Sequence, residues 1–144
     1  MSITFHIISY HQGEIERWPL IAETLLKMRD GRWPYGWLAS NGEECSHHYY
    51  DVVRIFRRAW PKMSDEQRSR VRPELERIKN WTVSDNYDVR SQKFKLSFIC
   101  DSSYEASKEY GMKLWRELDF FEKTSFWGGD PHPEAQNVRR LLEL

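Results

Sequence analysis

Apolar positions recur along this chain at two spacings. Ile15, Trp18, Ile21, Leu25 and Met28 fall three and four residues apart, which puts them on one face of a helix over about 15–29. Pro19 lies inside that pattern, so either the regular helix begins there or it kinks. Asp30-Gly31 ends it. Tyr49, Val53, Phe56 and Trp60, with Val52 beside them, form the stripe of a second helix over about 47–60, closed by Pro61. Ser64-Asp65-Glu66-Gln67 has the form of a capping box, in which Ser64 accepts from the backbone N–H of Gln67 and the Gln67 side chain reaches back. The helix it opens carries Val71, Leu75, Ile78 and Trp81, and Pro73 predicts a kink or break near residue 72. Leu114, Leu118 and Phe121, widened by Tyr104, Met112 and Trp115, predict a long helix over about 103–123, capped from Asp101-Ser102-Ser103. Gly111 either weakens that helix or lets another element approach it closely. Val138, Leu141 and Leu142 mark a last helix over about 134–143, after the breaker Trp127-Gly128-Gly129-Asp130-Pro131.

Strict alternation is rarer. Residues 3–10 read as a strand, with Ile3, Phe5 and Ile7 on one face. Lys93-Phe94-Lys95-Leu96-Ser97-Phe98 alternates without error and is the clearest strand signal. Residues 35–39 have the composition of a short third strand, while 82–92 read as polar and irregular. About five helices with a two- or three-stranded sheet give a helix-rich α+β fold. No repeat or linker divides the 144 residues, so one globular domain over 1–144 is expected.

Composition sharpens this picture. Seven Trp, seven Tyr and seven Phe predict a core heavy in aromatic rings, within a surface that makes the chain 31% charged. The net charge of zero argues against a whole-protein grip on nucleic acid or anionic lipid. Only Cys45 and Cys100 are available for a disulfide, fewer than a disulfide scaffold of this size normally uses. With no signal-peptide pattern and no long apolar run, a cytoplasmic protein without membrane association is the expectation.

Candidate chemistry is sparse. Cys45, His47, His48 and Asp51 crowd the start of the second helix, where His47 and Asp51, four apart, could share a metal or a proton. A metal would need further ligands from His6, His11, Cys100, His132 or a carboxylate, and no paired spacing points to them. No cofactor or metal is therefore expected, and His47, His48 and Asp51 remain weak catalytic candidates. Cys100, between the best strand and a capped helix, reads as a buried strand-end cysteine, because Asp101 beside it opposes a thiolate. Nucleophile-elbow, phosphate-loop and metalloprotease motifs are absent.

Charge and aromatic patterns carry more. Between residues 54 and 79 nine basic side chains, among them Arg54, Arg57 and Arg58, outnumber four acidic ones, whereas 101–122 is net acidic. Such stretches either meet a partner or attract each other within the fold. Trp33, Tyr35 and Trp37 alternate around Pro34 and Gly36, and Phe126-Trp127 forms a second aromatic loop. Trp, Tyr and Arg dominate binding hot spots. The expected function is stoichiometric binding to one protein partner, of the immunity-protein, antitoxin or phage-inhibitor kind. Trp33, Tyr35, Trp37, Trp127, Arg54, Arg57 and Arg58 would form the contact. The alternatives are a small metal-dependent hydrolase or nuclease and a nucleic-acid-binding module using helices 54–79.

Overall fold

A computed structural model of the chain describes residues 15–97 and 100–143. The strand expected over 3–10 lies outside them, as do His6 and His11. Five α-helices are present among the described residues: α1 (Trp18–Lys27), α2 (Ser46–Ala59), α3 (Asp65–Trp81), α4 (Tyr104–Glu117) and α5 (Ala135–Leu141). A two-stranded antiparallel sheet joins β1 (Tyr87–Asp88) to β2 (Lys93–Phe94), with Tyr87 opposite Phe94. The fold is thus helix-rich α+β.

The helix ends follow local chemistry. Helix α1 starts at Trp18 with Pro19 in its first turn, where a missing N–H costs nothing. Both halves of the α3 capping box form: Gln67 N donates to Ser64 Oγ and Ser64 N to Gln67 Oε1. Ser103 Oγ caps α4 by accepting from Ala106 N.

Three expectations need correction. Helix α3 runs unbroken through Pro73. Pro73 is exposed, and the stripe Val71, Leu75 and Ile78 is completely buried on either side of it, so packing holds the helix together across the missing hydrogen bond. Helix α4 stops at Glu117 rather than near 123. There Asp119 takes a left-handed φ of 50°, and its carboxylate accepts from Phe126 N and pairs with Arg57. The turn lets Phe120 stack beneath Trp115, with ring centroids 5.0 Å apart. Finally, of the strand expected over 93–98, whose Phe98 lies outside the described residues, only Lys93–Phe94 forms a strand among residues 93–97, and its partner lies in the segment read as irregular.

Two clusters of buried residues make the core. The larger joins Trp18 and Leu25 of α1 to Trp37, to Tyr49, Val53 and Phe56 of α2, to the α3 stripe, and to Leu114, Leu118 and Trp127. The smaller gathers Tyr87, Phe94, Trp115, Phe120, Ala135 and Val138 under the sheet. Thr82 links them by accepting from Trp115 Nε1 at 2.9 Å. Gly111 of α4 makes the close approach that the sequence allowed, for a Cβ there would collide with the Phe94 ring.

Candidate functional site

The first turn of α2 gathers the only group of three metal-ligand side chains found among the described residues: Cys45, His48 and Cys100. Cys45 is the N-cap residue of α2, with an extended backbone. His48 lies three residues on, one helical turn away on the same face. Cys100 comes from the loop before α4, where the Ser97 carbonyl accepts from both Cys100 N and Asp101 N. Cys45 and Cys100 form a disulfide, with Cα atoms 6.7 Å apart. The sequence offers the two cysteines as one pair, too few for a disulfide scaffold, and Cys100 reads there as a buried strand-end cysteine; instead Cys100 is half-buried, in a loop beyond β2, and bonded to Cys45. Fifty-five residues separate them, and no local pattern records the pairing.

His48 is held firmly. Its Nδ1 lies 3.0 Å from the Trp37 carbonyl oxygen, and since a carbonyl only accepts, Nδ1 must carry the proton. The lone pair is then on Nε2, which faces Cys100 Sγ at 4.0 Å. Burial lowers the His48 pKa, opposed by the Trp37 carbonyl, so the ring is neutral at pH 7. His47 turns elsewhere: its ring stacks on Tyr110 of α4 with centroids 3.9 Å apart, and its Nδ1 lies 3.4 Å from the Cys100 carbonyl.

Two buried carboxyls flank this cluster. Asp51 is 2% exposed, and burial pushes its pKa up to about 7 against the opposing charge of Arg54. Asp101 accepts from Ser97 N through Oδ2, while its Oδ1 has no hydrogen-bond partner among the described residues. Burial raises its pKa as well. Of the three weak catalytic candidates, His48 alone belongs to the group of three ligand atoms; Asp51 sits one turn further along α2.

The aromatic loops divide sharply. Trp37 and Trp127 are 0% and 1% exposed, members of the core rather than of a surface. Trp127 Nε1 donates to Glu76, and Trp37 packs edge-on against Phe56. Trp33 and Tyr35, by contrast, are 48% and 79% exposed. They project from a tight loop in which Trp33 N donates to the Leu38 carbonyl, Leu38 N to that of Gly31, and Tyr35 N and Gly36 N to that of Arg32. A Cβ on Gly36 would collide with the Gly31 carbonyl, so the loop can close only on glycine.

The basic stretch is largely answered from within. Arg54 and Arg57 lie against Glu117, the last residue of α4, and Arg57 also against Asp119 just beyond it. Arg70 pairs with Glu23, Arg77 with Glu44 and Glu74, and Lys79 with Glu76. Arg72 donates to the Trp127 carbonyl. Arg58 is half-buried on α2. These partners leave few cations of 54–79 to present a continuous field to phosphates.

No protein-family model, curated protein or solved structure matches the chain. Among the described residues no helix is long and apolar enough to cross a membrane.

Proposed function

We propose that the chain acts by stoichiometric binding to one protein partner, as an immunity protein, antitoxin or phage-encoded inhibitor does, with Trp33 and Tyr35 as the anchors. The observation that supports this is their exposure on a closed loop. Every other Trp of the described residues is buried or half-buried, and Trp33 and Tyr35, two positions apart, are the one place among the described residues where one loop exposes two large rings, Tyr104 being exposed by itself. A loop whose backbone is already held by hydrogen bonds loses little main-chain freedom on docking, which favours affinity. Arg32, exposed beside them, adds a cation at the rim. The matching surface is an apolar cleft on a folded protein, edged by carboxylates.

The test compares tagged wild-type protein with the Trp33→Ala/Tyr35→Ala double variant, both checked for native circular dichroism. One partner should be captured from the source cells in stoichiometric amount, and the purified pair should bind at least about tenfold more weakly when the two rings are removed. Equal affinity for the double variant, or no stoichiometric partner at low salt, overturns the proposal.

A further inference from the structure

The Cys45–His48–Cys100 cluster has a second chemistry besides the disulfide. We propose that, once the Cys45–Cys100 bond is reduced, the two thiolates and His48 Nε2 bind Zn²⁺, so that the site alternates between a disulfide and a metal centre.

Three observations carry this. First, one ligand atom from each residue lies within 4.8 Å of the others. A tetrahedral Zn²⁺ with ordinary bond lengths needs sulfurs about 3.8 Å apart and a sulfur–nitrogen separation of about 3.5 Å. Nε2 is 4.0 Å from Cys100 Sγ and within 4.8 Å of Cys45 Sγ, so the nitrogen must close by about half an ångström on the first sulfur and by at most about 1.3 Å on the second. The sulfurs need only part from bonding distance, a movement that side-chain rotation supplies with the backbone left in place.

Second, the histidine is prepared as a ligand. Metal-binding histidines characteristically donate the distal N–H to a carbonyl or carboxylate, which fixes the tautomer and aims the lone pair. The Nδ1–H to Trp37 O bond at 3.0 Å does this before any metal arrives. Third, Cys45 stands at the N-terminus of a fourteen-residue helix, where the helix dipole favours the thiolate. Cys100 is half-buried whereas Cys45 and His48 are buried, so a fourth ligand from solvent would come from the Cys100 side. A set of two sulfurs and one imidazole suits a borderline-soft ion such as Zn²⁺ over Mg²⁺ or Ca²⁺.

The chemistry balances as follows. Two molecules of a small thiol reductant give their hydrogens to Cys45 and Cys100 and leave joined as their own disulfide. Zn²⁺ then replaces the two thiol protons, which pass to solvent, while neutral His48 gives only its lone pair.

The experiment titrates Zn²⁺, in competition with a chromogenic chelator, into the full chain after treatment with a dithiol and removal of excess reductant under argon. Co²⁺ serves as the spectroscopic probe. The reduced chain should bind about one ion with the charge-transfer band of thiolate-bound Co²⁺. The disulfide form should bind none, and Cys100→Ser should bind at least about tenfold more weakly. His48→Gln keeps a donor for the Trp37 carbonyl but offers no ring nitrogen, and it should weaken binding to a similar degree. Where either variant loses its native circular dichroism, the contrast between reduced and oxidised wild type decides alone. Failure of the folded chain to be reduced, equal binding by the two redox forms, or a Co²⁺ spectrum without the thiolate band overturns the proposal.

Discussion

Asp51→Asn isolates one buried charge. In the native chain burial raises the Asp51 pKa from 3.8 to about 7, with Arg54 working in the opposite direction and the Tyr110 phenol nearby. Each tenfold change in an acidity constant is worth about 1.4 kcal/mol, so ionising this carboxyl in place costs the fold about 4 kcal/mol. The sign follows from proton binding. The folded state holds the proton to a higher pH than the unfolded one, so stability is full below pH 4 and declines as pH rises through about 7. Two-state linkage with these values gives a loss of about 2–3 kcal/mol between pH 5 and pH 8. Asparagine has nearly the same shape and no charge at any pH. Its own hydrogen-bonding offset is constant with pH, and every other titrating group contributes to both proteins, so the difference between them reports Asp51 alone. Urea unfolding at half-unit steps from pH 5 to 8 is the assay. With a typical slope of about 1–3 kcal/mol per molar, the midpoint of the variant should gain roughly 1–2 M on the wild type across that range. Profiles that stay parallel within about 0.5 kcal/mol would show that Asp51 ionises without penalty, and would refute the account of it as a desolvated carboxyl.

Two further substitutions probe packing against local propensity. Gly111→Ala should destabilise the fold by about 1–2 kcal/mol, because overpacking against Phe94 outweighs the roughly 1 kcal/mol that alanine adds to a helix. In a Phe94→Leu background the same change should become neutral or stabilising, and a gain in melting temperature from Gly111→Ala alone would contradict the close approach. Pro73→Ala should stabilise by about 1–3 kcal/mol in chemical denaturation, since it restores a backbone donor at an exposed position in the middle of α3; a loss of stability would mean that the ring itself is needed there.

Helix positions were legible because each helix buries a stripe at its own period. Val71, Leu75 and Ile78 are completely buried as the spacing requires, and Ser64 and Ser103 cap where their side chains predict. The errors arise where tertiary packing overrides a local preference. Pro73 disfavours a helix by about 3 kcal/mol, less than the roughly 5–9 kcal/mol that burying three aliphatic side chains returns. The early end of α4 depends on Phe126, in the following loop, and on Arg57, which is far from it in sequence and meets Asp119 only in the fold. Of the candidate site, His48 was legible as a residue but its partners were not. A cysteine 52 positions away and the carbonyl of Trp37 leave no periodic trace. The aromatic loop was legible as a loop, yet alternation around Pro34 could not say which rings face out. The collapse of Trp37 onto Phe56 decides that.

Trp37 is where the two proposals meet. Its ring is buried under the loop that presents Trp33 and Tyr35, and its carbonyl takes the proton-bearing nitrogen of His48. The same few residues therefore set the loop on the core and set the tautomer of the histidine. Its indole Nε1 has no partner among the described residues, so the ring is held by packing and by that one carbonyl bond rather than by a hydrogen bond of its own. A change at His48 that breaks the carbonyl bond removes a neighbour from the base of the loop as well as a ligand from the cluster. A change at Trp33 or Tyr35, on the solvent side, touches neither. The asymmetry gives a direction to any coupling: loss of the histidine can loosen the aromatic tip, whereas loss of the tip leaves the Cys45–His48–Cys100 geometry as it is. Partner binding by a His48→Ala chain, which loses the carbonyl bond that His48→Gln keeps, and metal binding by the Trp33→Ala/Tyr35→Ala chain are therefore unequal measurements, and only the first can report on both sites at once.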